Sequence, residues 1–299
     1  MNFWDRCLIW FGNRWPGKKL VRRFIAGNTM KDAFLVAQKL NSQGFEAIIN
    51  FLGEEVKDLQ KARENARMYS YLIRQIKRRK LKARVSIKPS QIGLRINRFF
   101  YRPNLFGVGR DALIYGIPLE IDMETEETVD ATVWETIALS KHYSGLDLRQ
   151  AMAINFKESF AHLYNLAGSG AKIRLCKGAY PSVYGKKEIR ERFLSAADYL
   201  LEHDANPDFA THDLNLLGKL LSLRENIHDI RKSAHLTPFS MSAMTVPCGF
   251  QFLLGLRKKT WKELCQQGER TAIYVAFGSN WLPYAKRRWQ YIVKKSLLF

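Results

Sequence analysis

The sequence predicts an α/β fold, a TIM-type (β/α)8 barrel with N-terminal helices. Three observations support this prediction. The chain has 299 residues, a common length for a single barrel domain. Eight apolar segments have the length of strands, and helical patterns separate most of them. Strands that alternate with helices form parallel β-α units, and eight such units favour a closed barrel over an open sheet.

The elements follow in chain order. The first clear helix begins after Thr29, which can serve as its N-cap, and ends before Gly44. The predicted strands lie at residues 45–53, 84–88, 117–123, 146–154, 172–178, 207–212, 249–255 and 271–278. The main helical patterns lie at residues 54–80, 127–141, 186–203 and 214–223, whereas 98–116 and 224–248 are irregular, the second being a predicted loop or insertion. We therefore expect an N-terminal helical segment over residues 1–44 and a catalytic barrel over 45–299, in a single domain.

The composition excludes a disordered chain, because 46% of the residues are hydrophobic. The charge is unusual: 48 Lys and Arg face 28 Asp and Glu, a formal net charge of +20. Such an excess attracts nucleic acid, acidic lipid or phosphorylated ligands, and a merely solvated basic surface explains it equally well.

Cysteine usage and hydropathy indicate the cellular compartment in which the protein resides. The four cysteines share no CxxC spacing, so we expect no zinc or redox motif and no bound metal. Scattered single cysteines are typical of a reducing cytosol. No stretch has the ~20 apolar residues of a membrane-spanning helix, and no secretory signal is visible. These features predict a cytoplasmic protein.

Two motifs have ordinary explanations. The segment 107–112 matches GxGxxA, but a dinucleotide fingerprint needs a strand directly before it, and Pro103 argues against one there. A basic run over residues 74–84 could contact phosphates. No recognition module or aromatic platform accompanies it, so a solvated helix face is the better interpretation and no nucleic-acid partner is expected.

Polar residues stand at or near the ends of six predicted strands. They are Lys88, Asp122, Gln150, Arg174 with Lys177, Thr211 with His212, and Tyr274. Active sites of (β/α)8 barrels lie at the carboxyl ends of the strands. Each residue alone could simply cap a strand or helix, but the set together is basic and suits an anionic ligand.

The segment RLCKGAY, residues 174–180, is similar to the β5 signature of the proline dehydrogenases, flavin enzymes on a (β/α)8 barrel. Further matches follow in order: FIAGNTMKDA at 24–33, NFLGEEV at 50–56, VSIKPSQIGL at 85–94, EIDME at 120–124, RQA at 149–151, FATHD at 209–213, FQFLLG at 250–255 and YVAFGSNWLPYAKRR at 274–288. The resemblance covers residues 24 to 292, nearly the whole chain.

The resemblance implies L-proline as substrate and FAD as cofactor in a monofunctional enzyme. It implies catalytic roles for Asp122, Arg174 and Tyr274. Substrate-binding roles are implied for Lys88, Leu253, Tyr284, Arg287 and Arg288. FAD contacts are implied for Met123, Gln150, Arg174, Lys177, Gly178, Ala179, Thr211 and His212.

The implied reaction is hydride transfer from the proline carbon next to nitrogen to flavin N5. Its product is Δ1-pyrroline-5-carboxylate, the first intermediate of proline degradation to glutamate. Electrons would pass to a quinone. Because quinones lie in membranes and the chain is strongly basic, we expect peripheral, salt-sensitive contact with an anionic membrane at its inner face.

Three positions depart from the family pattern: Pro89 follows the β2 lysine, where most relatives have leucine, and Gly249 and Tyr291 stand where many have glutamate. Two alternatives stay open at this point. One is a dehydrogenase for a related imino acid such as hydroxyproline, although the Tyr274 ring would crowd a ring hydroxyl. The other is a non-catalytic barrel that binds anions or nucleic acid.

Overall fold

The computed structural model describes residues 23–53, 56–178, 182–203, 205–233 and 247–285. Within them, eight parallel strands close into a barrel in chain order, and β8 pairs with β1. The strands are β1 Glu46–Phe51, β2 Ala83–Ile87, β3 Leu119–Ile121, β4 Leu148–Ala153, β5 Lys172–Cys176, β6 Asp208–Ala210, β7 Gly249–Leu253 and β8 Arg270–Phe277. The helices are α1 Met30–Asn41, α2 Leu59–Arg78, α3 Arg98–Tyr115, α4 Glu126–His142, α5 Ser159–Ala167, α6 Lys186–Glu202, α7 Leu214–Ser233 and α8 Lys258–Gln266. The predicted (β/α)8 fold is confirmed.

The N-terminal helix α1 precedes the barrel and begins with a capping box. The Asp32 amide donates to Thr29 Oγ1 over 3.2 Å, and the Thr29 amide donates to Asp32 Oδ2 over 2.9 Å. These two bonds satisfy backbone donors that a helix end otherwise leaves unpaired. The buried face of α1, which includes Phe34 and Leu40, packs on the barrel core.

The side chains of the strands form two layers, one facing the helices and one facing the barrel interior. Outward-facing apolar residues such as Val85 and Ile87 of β2 pack against helices in the main core. Inward-facing positions of the same strand are polar: Arg84 and Ser86 are both buried inside the barrel. A strand directs successive side chains to opposite faces, so this alternation fills the barrel interior with charged and polar groups.

The expectation of irregular structure at residues 98–116 is wrong, because this segment forms α3. Asn97 caps its start by accepting from the Phe99 amide over 2.7 Å, and Gly116 ends it in the left-handed region at φ +64°. Pro103 inside the helix and the 84% exposed Phe99 hid the helical pattern.

The glycines of the GxGxxA segment lie within α3, so they do not form a dinucleotide-binding turn. A Cβ on Gly109 would lie 2.7 Å from Leu139 of α4, which explains glycine there by close helix packing. In the second irregular segment, residues 224–233 continue α7, which corrects the predicted loop over that part. Of the remainder, residues 234–246 lie outside the described residues.

Among the described residues, no helix combines the length and apolarity that crossing a bilayer requires.

Candidate active site

A cavity of about 650 Å³ opens at the carboxyl ends of the strands. This volume is typical of small-molecule sites. The structure places eleven of the sequence-predicted site residues on its wall: Lys88, Asp122, Met123, Arg174, Lys177, Gly178, Thr211, His212, Leu253, Tyr274 and Tyr284. Three further predicted residues, Ala179, Arg287 and Arg288, lie outside the described residues.

Gln150 is the one described residue of the predicted set that does not reach the cavity. Its side chain is fully buried, accepts from Thr136 Oγ1 of α4 over 2.5 Å and donates to the carbonyl of Ile121 over 3.3 Å. Its neighbours in β4 face the interior, since Arg149 contacts an internal carboxylate and Ala151 lines the cavity. Alternation along the strand therefore turns Gln150 toward the helices, and its contact with the cofactor stays a prediction.

Asp122 is the centre of the polar cluster in the cavity. Its Oδ2 accepts from Lys88 Nζ and from the Tyr274 hydroxyl, each over 2.7 Å, and its Oδ1 accepts from Arg174 Nη2 over 2.8 Å. Burial alone would raise the pKa of Asp122, but Lys88 and Arg174 hold it well below the usual range. Three elements that are far apart in sequence thus meet on one ionised carboxylate.

Tyr274 stays protonated in this environment. Burial raises its pKa well above the ordinary value, and the negative charge of Asp122 raises it further. The phenol therefore acts as a donor to Asp122. Its ring packs in an apolar cluster with Ile48, Leu52 and Tyr284, and the two tyrosines of this cluster line the cavity.

A buried glutamate that the sequence analysis missed lies beneath Asp122. Glu120 accepts from Arg174 Nη1 over 2.5 Å and from Gln251 Nε2 over 2.7 Å, and its side chain has no exposed surface. Burial would lower the pKa of Arg174, but Glu120 and other groups raise it well above the ordinary value. The motif EIDME contains Glu120, and its spacing of two from Asp122 on a strand was a usable indication that both face inward.

Deeper in the barrel, three arginine side chains contact Asp208 of β6. Arg84 Nη1 lies 3.1 Å from it, Arg149 Nη1 2.9 Å and Arg270 Nη2 2.8 Å. A Cβ on Gly249 would lie 2.3 Å from Asp208 Oδ1, so the carboxylate occupies the space beside that glycine. The departure at Gly249 thus makes room for a carboxylate supplied by the neighbouring strand.

Cations also border the cavity on the side of β5 to β7, and we call Lys177, Arg190 and Arg257 the cationic rim. Lys177 Nζ lies 3.2 Å and Arg190 Nε 2.9 Å from Asp213 Oδ2, and Arg257 Nε donates to the carbonyl of His212 over 3.1 Å. All three cations line the cavity. Arg190 and Arg257 could not be singled out from the sequence, because neither stands at the end of a predicted strand.

Gly178 brings the backbone close to the cavity wall at the end of β5. Its φ is +104°, and a Cβ would lie 1.9 Å from Asn155 Oδ1 in the segment after β4. Ser182 Oγ donates to the carbonyl of Asn155 over 2.7 Å, so the segments after β4 and β5 are tied together. Only glycine fits this position without displacing the neighbouring segment.

A closed (β/α)8 barrel with a charged cavity at the carboxyl ends of its strands defines the class as a barrel enzyme. Within that class, the family model described as "Proline dehydrogenase" matches residues 34–290. The chain therefore belongs to the proline dehydrogenase family, a family of oxidoreductases, and the resemblance seen in the sequence is confirmed.

Individual relatives agree with this assignment. The chain is 26% identical to proline dehydrogenase 1 of Bacillus subtilis (strain 168) over 290 residues, covering 95% of this chain and 90% of the relative. It is 25% identical to the proline dehydrogenase of Deinococcus radiodurans over 277 residues, covering 90% and 85%.

Among solved structures, proline utilization A (PutA) from Bdellovibrio bacteriovorus superposes with a TM-score of 0.79 at 19% identity. The match covers 91% of this chain and 32% of that protein, so the chain spans about a third of its length. This likeness supports the barrel fold.

Proposed function

We propose that this protein is a FAD-dependent proline dehydrogenase that oxidises L-proline to Δ1-pyrroline-5-carboxylate. The main support is the convergence of Lys88, Arg174 and Tyr274 on Asp122 inside the cavity, in a chain of this family. The cluster combines fixed cations with a neutral hydroxyl donor and an adjoining apolar wall, which suits a small ring that bears a carboxylate.

The described residues fit FAD by their donor chemistry. The cationic rim offers two guanidinium groups and one ammonium group, which suit a diphosphate. Gly178 lines the cavity, and a residue without a side chain lets a ligand approach the backbone closely. Met123, Thr211 and His212 also line the cavity and are proposed contacts. When bound, FAD supplies the hydride acceptor, a chemistry that protein side chains lack.

The residues around Asp122 have separate proposed roles. Lys88 offers a point charge to the substrate carboxylate, and Arg287 and Arg288 are proposed to complete its binding with bidentate contacts. Leu253, Tyr274 and Tyr284 enclose the ring and exclude water.

Arg174 provides a fixed positive charge on the cavity wall, where it stabilises negative charge that develops during the reaction. Asp122 holds Lys88, Arg174 and Tyr274 in register with one another.

The proposed test is anaerobic addition of L-proline to the purified protein while the flavin absorbance is recorded. Bleaching by proline is the expected result, and Lys88→Met should raise the proline concentration that it requires. Lys172→Met is the matched control, because Lys172 pairs with Asp147 away from the cavity. Bleaching by hydroxyproline in preference to proline would favour the related imino-acid enzyme. A colourless protein that binds anions would favour the non-catalytic barrel.

We also propose a quinone as electron acceptor and peripheral contact of a cytoplasmic protein with an anionic membrane. The support is the net charge of +20, since basic residues near an anionic surface each contribute about 1 kcal/mol before salt screening. Co-sedimentation with anionic vesicles at low salt, lost at high salt and absent with neutral vesicles, is the expected result. Failure to bind anionic vesicles at low salt contradicts the membrane contact.

A further inference from the structure

Glu120 is a buried carboxylate that lies outside the cavity wall but touches two residues of that wall. It accepts from Arg174 Nη1 over 2.5 Å and Gln251 Nε2 over 2.7 Å, and Arg84 Nη1 lies 3.6 Å away. Burying an isolated carboxylate costs free energy, and the three donors around Glu120 compensate this cost. None of the roles proposed above uses this residue.

Two carboxylates of the same strand hold the Arg174 guanidinium. Glu120 and Asp122 are two residues apart on β3 and face the same side. One accepts from Nη1 and the other from Nη2. Because the guanidinium is planar, anchoring both terminal nitrogens fixes its plane as well as its position.

Each of the two anchors also has other partners: Glu120 accepts from Gln251 Nε2 over 2.7 Å and lies 3.6 Å from Arg84 Nη1. Asp122 also accepts from Lys88 and from the Tyr274 hydroxyl. If Glu120 were lost, Arg174 would share one carboxylate with two other donors, and its second terminal nitrogen would lack this partner. The side chain could then rotate about the remaining contact, so the orientation of Arg174 depends on Glu120.

The charge of Glu120 matters as well as its shape. Arg174 and Lys88 lie on the cavity wall, and Glu120 is a negative charge in direct contact with Arg174. Removing that charge raises the positive potential in the cavity, and a low-dielectric interior transmits such a change strongly. Tighter binding of a carboxylate would follow.

We propose that Glu120 is a positioning residue: it fixes the plane of Arg174 beneath the substrate and limits the positive potential that attracts the substrate carboxylate. The positioning half rests on the proposed function, whereas the effect on anion binding does not. Replacing Glu120 should therefore separate binding from turnover, which a purely structural role would not do.

The variants Glu120→Gln and Glu120→Asp test the two proposed roles, charge and positioning, separately. The first keeps the size and removes the charge, and the second keeps the charge and shortens the side chain. Glu135→Gln is the matched control, because Glu135 is equally buried but lies on α4, where it pairs with Arg98 and Arg102.

The first measurement is acetate binding. It is measured by the rise in melting temperature when acetate replaces chloride at constant ionic strength. For Glu120→Gln we expect the apparent acetate dissociation constant to fall about fivefold or more. Glu120→Asp and Glu135→Gln should match the unmodified protein. An unchanged dissociation constant in Glu120→Gln overturns the charge half of the proposal, whatever the protein does with proline.

The second measurement is anaerobic flavin reduction per bound flavin at saturating proline. We expect both Glu120 variants to be roughly 10- to 100-fold slower, while the KM for proline of Glu120→Gln does not rise. Equal limiting rates in Glu120→Asp and the unmodified protein overturn the positioning half, even if Glu120→Gln does not fold. Equal slowing in Glu135→Gln overturns it too. If the unmodified protein is not reduced by proline, the proposed function fails, and the acetate result still decides the charge half.

Discussion

Replacing Asp122 by Asn tests the central cluster of the cavity. The substitution preserves shape but removes the one charge that Lys88, Arg174 and Tyr274 share at distances of 2.7–2.8 Å. Removing one partner of a buried ion pair costs about 3–5 kcal/mol, because the opposite charge stays buried. At about 1.6 °C per kcal/mol for 299 residues, the melting temperature at pH 7 should fall by about 5–8 °C.

The effect of Asp122→Asn also has a definite pH dependence. The pKa of Asp122 in the folded protein lies well below its unfolded value of about 3.9. The stabilisation is therefore complete above that unfolded value and is lost as the pH falls through the folded pKa. The difference in unfolding free energy between the two proteins should be constant near neutrality and shrink as the pH falls below about 4.

Thermal unfolding with FAD in excess is the appropriate assay, because it removes differences in cofactor occupancy. Asp147→Asn serves as the control: Asp147 forms a half-exposed pair with Lys172 over 2.9 Å, and such pairs contribute about 0–1 kcal/mol. If Asp122→Asn and Asp147→Asn melt at the same temperature, the buried cluster does not have the energetic role assigned to it.

Two glycine substitutions give further predictions. Gly178→Ala at φ +104° places a Cβ 1.9 Å from Asn155 Oδ1. The flavin content should therefore fall, and the free energy of unfolding should drop by about 1–3 kcal/mol. A normal flavin content would contradict the close approach of Gly178 to the cofactor. Gly249→Ala places a Cβ 2.3 Å from Asp208 Oδ1, so urea denaturation should show a loss of about 1–3 kcal/mol. Gly107→Ala has open space around the Cβ and should be neutral or stabilising, and the reasoning fails if it matches the other two.

The sequence by itself determined the order of the elements and most of the cavity. Apolar segments of strand length and the helical patterns between them depend on local periodicity, and the barrel follows from their number. Lys88 could be placed because it directly follows β2, and all carboxyl ends of a parallel barrel meet at one face. Arg174 and Tyr274 lie within β5 and β8, and the motifs around them placed them at the same face. Short family motifs supplied the rest of the predicted site.

The tertiary structure decided which way particular side chains face. Arg149 and Gln150 are adjacent polar residues, so the sequence alone does not tell which faces the interior. The pairing of β4 with its neighbours turns Gln150 toward α4 and Arg149 toward Asp208. Helix α3 was hidden for a similar reason, because packing at Gly109 against α4 outweighs its weak local pattern.

The partners of buried charges were also decided only in three dimensions. Glu120 and Arg174 are 54 residues apart and meet through the shared geometry of β3, β4 and β5. Asp208 fills the space beside Gly249 because β6 and β7 are neighbours in register. Residue type and local spacing determine that a charge lies near a strand end, but strand register determines which opposite charge it reaches, and register is a property of the closed barrel as a whole.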